Sequence, residues 1–133
     1  MAAETYHLGT TSAPIKLSVA VSTPGIADTD PALINNGTIT FIPCVSGPTG
    51  NLTNLAVGDA VALNGQSLGI TTTIDLQTVA SSLWPTLLNS LVIHYTVSGG
   101  ADGTKIYTLG SDEKVADATG QFITANKLIN LIQ

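Results

Sequence analysis

The chain has 133 residues, which is enough for one domain to bury a core without disulfides or a metal. Only 10% of its residues are charged, where about 25% is usual; there is no arginine, and the net charge is −5. The lysines, Lys16, Lys105, Lys114 and Lys127, are too scattered to form a basic stripe. Nucleic acid and anionic membrane surfaces are therefore poor partners on electrostatic grounds. Hydrophobic residues make up 44% of the chain, yet no apolar run approaches the ~18 residues of a membrane span.

Met1 to Ala13 is polar, rich in small residues and without periodicity, so residues 1–13 are expected to form a flexible arm ahead of a single domain over 14–133. The arm has no cationic segment followed by an apolar one, so no secretory leader is expected. Pro14 opens a strictly alternating run in which Ile15, Leu17, Val19 and Val21 interleave with Lys16, Ser18, Ala20 and Ser22. This is the pattern of a half-buried strand. Thr23 to Gly37 holds prolines, glycines, Asp28, Asp30 and Asn35-Asn36-Gly37, which predicts a long irregular connection. Asp28 and Asp30 could give a calcium ion two oxygens, far short of the six to eight it takes. Thr38 to Val45 predicts a strand with Ile39 and Phe41 on one face, and Pro43, lacking an N–H, places its end at a sheet edge or bulge.

The central stretch Gly58 to Asp75 carries Asn64-Gly65, a dipeptide suited to a type I′ turn. A hairpin there would put Val61, Leu63, Leu68 and Ile70 on one apolar face. After it, Asp75 reads as an N-cap, with Leu76, Val79, Ala80 and Leu83 at helical spacing before Pro85. Trp84 falls where that helix would end. Leu91 to Ser98 returns to strand alternation, and Gly99 to Gly103 turns the chain so that Thr104 to Leu109 can pair back. Ser111 to Lys114 predicts a solvated turn. From Phe122 to Gln133 the apolar residues Phe122, Ala125, Leu128, Ile129 and Ile132 favour a helix over a strand. The expected fold is mainly β, an antiparallel β-sandwich or barrel with one or two short helices.

No catalytic, cofactor-binding or metal site is expected. Gly65-Gln66-Ser67-Leu68-Gly69 matches the Gly-x-Ser-x-Gly of serine hydrolases, but the β-branched run after it resists the helix such a nucleophile needs. His7, His94 and the lone Cys44 do not make a zinc set, and Gly99 to Lys105 lacks the order of a phosphate loop. A chain so poor in charge predicts a non-enzymatic structural subunit that hides surface against copies of itself, or against other subunits of an assembly such as a virus or phage particle. Trp84, Tyr6, Ile129 and Ile132 are the candidate contact residues, from the arm, the lone tryptophan and the apolar tail. The alternative is a β-sandwich module for carbohydrate or protein ligands, whose stacking residues would come from Tyr6, Trp84, Tyr95 or Tyr107.

Overall fold

A computed structural model describes residues 3–133. Strands β1 (Glu4–His7), β3 (Ile26–Asn35), β4 (Thr38–Phe41), β6 (Ser67–Asp75), β9 (Lys114–Ala116) and β10 (Phe122–Ile132) form one sheet. Strands β2 (Pro14–Ser22), β5 (Leu52–Asp59), β7 (Val92–Gly100) and β8 (Gly103–Thr108) form the second. The larger sheet runs β1-β10-β6-β3-β4, with β9 following β1 along the same side of β10, and the smaller runs β5-β2-β7-β8. Their inner faces supply one core: Ile15, Leu17 and Val19 of β2 and Ile93, Tyr95 and Val97 of β7 meet Leu68, Ile70 and Ile74 of β6 and Ile123, Ile129 and Leu131 of β10. The protein is a β-sandwich, as the alternating runs predict.

Pro14–Ser22, Val92–Gly100 and the β7–β8 hairpin form as their alternation predicts, and Pro43 follows an edge strand. Elsewhere the local pattern misleads, for identifiable reasons. The Asn64-Gly65 hairpin is not made. Asp59 instead caps a short helix, α1 (Ala60–Leu63), its carboxylate accepting from Ala62 N at 2.8 Å. Asn64 then takes φ −58° and ψ 126° before Gly65 at φ 86°, the values of a type II turn. The chain thereby crosses from β5 in one sheet to β6 in the other.

The helix expected from Leu76 is also displaced. Asp75 makes a local turn by accepting from Gln77 N, a 3-10 turn follows at Ser81–Leu83, and the helix proper, α2, is Trp84–Ser90. Pro85 opens this helix rather than closing one, because the first turn has no use for its missing N–H. Residues 26–35, expected to be irregular, are β3. Its inner positions Ala27, Thr29 and Pro31 are small or polar, so the buried face carries no row of large apolar residues.

The C-terminal segment is a strand, not a helix. Ile123, Ala125, Lys127, Ile129 and Leu131 alternate inward, and the lysine in the middle of that row hides the period. The expected flexible arm also departs from its description. Residues 4–7 are β1, parallel to β10 with Glu4 opposite Ile129 and His7 opposite Ile132, and Tyr6 and Leu8 are buried. This strand is held by the β7–β8 turn: Asp102 N donates to His7 O, Ala101 N to Leu8 O, and His7 N to Asp102 Oδ2 at 2.8 Å.

Candidate interaction surface

The outward face of the larger sheet is built by the β3–β4 hairpin. Asn36 and Gly37 have φ of 52° and 81°, so the positive angles of a tight two-residue turn fall on this Asn-Gly pair and not on Asn64-Gly65. The register that follows sets Ile39 opposite Ile34 and Phe41 opposite Ala32. Because Ala27, Thr29 and Pro31 point inward, these residues point out. Cross-strand rows continue over the sheet as Phe41, Ala32, Gly69 and Leu128, and as Ile39, Ile34, Ser67 and Asn130. Ile34 leans over Gly69, with Cδ1 at 3.1 Å from where a Cβ would sit. Away from the β4 edge the face turns polar but stays short: Ser67 donates to Asn130 and Thr71 to Asn126 across β6 and β10.

The β4 edge carries exposed apolar residues, as do Val61 of α1, Ile106 of β8 and Val115 of β9 elsewhere. Ile39 is 58% exposed, Phe41 67% and Val45 92%, while the alternate residues Ile42 and Cys44 pack against the core. Pro43 is exposed as well, so Ile39, Phe41, Pro43 and Val45 make an outward row along one edge. From Pro31 to Gly58 the sequence contains no ionisable side chain except Cys44. Burial, and then the carboxylates of Asp30 and Asp28, push the Cys44 thiol up, which keeps it protonated and unreactive. An apolar row on an open strand edge, carrying no charge of its own, is the composition of a contact surface.

The residues singled out from sequence fall in different places. Tyr6 and Ile129 are 0% exposed and belong to the core, so neither can touch a partner; each occupies an inward position of its strand. Tyr6 works inside the fold, donating its hydroxyl to Gly103 O and accepting from Gly100 N at 2.9 Å. Ile132, 40% exposed, remains at the surface beside β1. Trp84 is half-buried, its indole N–H donating to Leu76 O and Val79 O at 3.0 Å. Its ring forms one wall of an apolar hollow of about 220 Å³ with Pro85, Leu88, Ala116 and Gly120. The β4 edge was legible only in part: Pro43 marked it, and Asn36-Gly37 was the unread signal for the hairpin that places it.

A second polar feature lies on the opposite side of the larger sheet. Lys127, on the inner face of β10, donates to Glu113 Oε1 at 2.9 Å and to Thr108 O at 3.0 Å, with both charged side chains about 95% buried. Glu113 Oε1 also accepts from Gly110 N at 2.7 Å. Each charge has a counter-charge and a backbone partner, which is what burying an ion pair requires. The pair fastens the turn before β9 to β10, so Ser111 to Lys114 is anchored inward and not simply solvated.

Ser67 of the Gly-x-Ser-x-Gly match lies within β6, with its hydroxyl given to Asn130 Oδ1 at 2.8 Å. Asp28 accepts from Ser46 Oγ at 2.7 Å. Among the described residues no three His, Cys, Asp or Glu side chains converge as a metal site would, and no helix is long and apolar enough to cross a membrane. No family model, no curated protein and no solved structure matches this chain.

Proposed function

We propose that this chain is a non-enzymatic structural subunit that associates with copies of itself in a larger assembly, of the kind that forms the shell, decoration or tail of a virus or phage particle. The single observation that supports this reading is the uncharged apolar row of Ile39 and Phe41 on the open β4 edge, continued by Pro43 and Val45 in the segment after it. Such a row costs a solitary molecule free energy and is stabilising once a neighbour covers it. A second reading, a carbohydrate-binding module, draws less support. Of its four candidate stacking residues, Tyr6, Tyr95 and Tyr107 are buried, which leaves Trp84 and its hollow.

Sedimentation velocity over a wide concentration range tests the proposal. The native 13.6 kDa chain should sediment as a dimer or larger species. Replacing the two exposed apolar residues together, Ile39→Thr with Phe41→Ser, should shift the association midpoint at least tenfold to higher concentration. A native chain that stays monomeric at the highest concentration reached would remove the reading.

A further inference from the structure

Resting on that self-association reading, we propose that the contact is a β4-to-β4 pairing: two copies join their larger sheets edge to edge, antiparallel, about a two-fold axis at Thr40. The geometry follows from the hairpin. In a two-residue hairpin the residues flanking the turn, Asn35 and Thr38, exchange hydrogen bonds, and the exchange then recurs at every second residue. Thr38 and Thr40 therefore turn their N–H and C=O groups toward β3, and the following even residue does the same, Ile42 N donating to Pro31 O at 2.9 Å. Ile39 and Phe41 turn theirs outward. Pro43, next in that outward series, has no N–H to offer.

The pairable window is thus closed by the Asn36-Gly37 turn at one end and by Pro43 at the other, and its middle residue is Thr40. Side chains facing one another across an antiparallel pair share a face, so Ile39 can oppose only an odd-numbered residue of the second copy. Centring on Thr40 sets Ile39 against Phe41 of the second copy and Phe41 against its Ile39. Every outward N–H and C=O of both residues is then used, and each facing pair joins an aromatic to a β-branched side chain. Sliding by two residues either way loses part of these bonds.

Charge favours a second copy as the occupant. The stretch from Pro31 to Gly58 offers nothing to a charged ligand. An identical edge brings an identical lack of charge, although each chain carries −5 overall. The nearest carboxylates, Asp28 and Asp30 on β3, would lie at least three strand spacings, about 14 Å, from their counterparts, beyond a screening length of about 8 Å. The pairing is isologous and so stops at two copies through this edge.

Site-directed crosslinking tests the register. In a Cys44→Ser background, Thr40→Cys brings two thiols together at the axis, and mild oxidation should yield covalent dimer at least tenfold faster than Thr38→Cys or Val61→Cys, the latter on exposed α1. Ile39→Lys, which sets a charge against the facing strand, should weaken association at least tenfold while the far-ultraviolet circular dichroism stays that of the native chain. If the native chain self-associates but Thr40→Cys crosslinks no faster than Val61→Cys, or Ile39→Lys associates as tightly as native, the β4 seam is wrong while the subunit reading stands. A monomeric native chain overturns both.

Discussion

Lys127 is the residue whose environment departs most from what its chemistry prefers. Its ammonium is nearly dry, and its stability depends on Glu113 Oε1 at 2.9 Å and on Thr108 O. Glu113→Gln leaves that ammonium without its counter-charge, and a buried charge stripped of its partner costs about 3 to 5 kcal/mol. Chemical denaturation should show a loss of that order for Glu113→Gln. The double replacement Glu113→Leu with Lys127→Met should cost markedly less, since it removes both desolvated charges together. Equal losses in the two variants would mean that packing, not charge, sets the cost.

The same residue explains a limit on what the sequence made legible. A lysine between Ala125 and Ile129 reads as polar, so the inward alternation of β10 is broken on paper and a helix fits as well. The carboxylate that lets Lys127 sit inward is Glu113, and nothing local announces the match.

Among the elements, β2 and β7, whose hydrophobic period is unbroken, were readable from sequence, and β8 from the glycine-rich turn before it. Those stabilised by distant partners were not. Asn-Gly occurs twice: at Asn36 the flanking residues pair with each other, while at Asn64 the strands on either side, β5 and β6, belong to different sheets with α1 between them. Only the tertiary fold distinguishes the two. β1 is likewise invisible locally, since a short polar segment becomes a strand because β10 and the β7–β8 turn offer it partners.

That clasp carries a pH dependence. The His7 backbone N–H, then its ring, hold the Asp102 carboxyl below its ordinary range against an opposing effect of desolvation, with weaker help from the charges of His7 and Lys105. A carboxyl whose pKa is lower folded than unfolded contributes stability above its unfolded value near 4, and that contribution is lost as pH falls through the folded value. Amide exchange at His7 and Leu8, corrected for the intrinsic pH dependence, should therefore show protection falling below about pH 4. Asp102→Asn should show weaker protection at neutral pH and no such step. A native-like profile in that variant would detach β1 from Asp102.

For the molecule as a whole, tyrosines join the sheets at the β1 end. Tyr107 donates to Thr5 O at 2.7 Å, and Tyr6 bridges Gly100 and Gly103. Burial is the largest influence on the phenols of Tyr6, Tyr107 and the core residue Tyr95 and pushes each up, Tyr107 to about 12. Groups with raised folded pKa values contribute stability fully below the unfolded value near 10, and lose it as pH climbs through the folded values. The ultraviolet phenolate absorbance of the folded chain at about pH 10, where free tyrosine is half ionised, should stay below that of the unfolded chain and complete its rise only at higher pH with loss of the fold. A tyrosine that titrates normally near 10 would contradict the closed junction.

The parallel pairing of β1 with β10 also sets an order of events. Its two halves lie almost a chain length apart, so the entropy of closing that loop must be met before the contact returns anything. On a ribosome, β1 emerges well before β10 and waits for it. Until β10 is made, β1 lacks the strand it pairs with, so its amides should gain protection only once residues 129–132 are present.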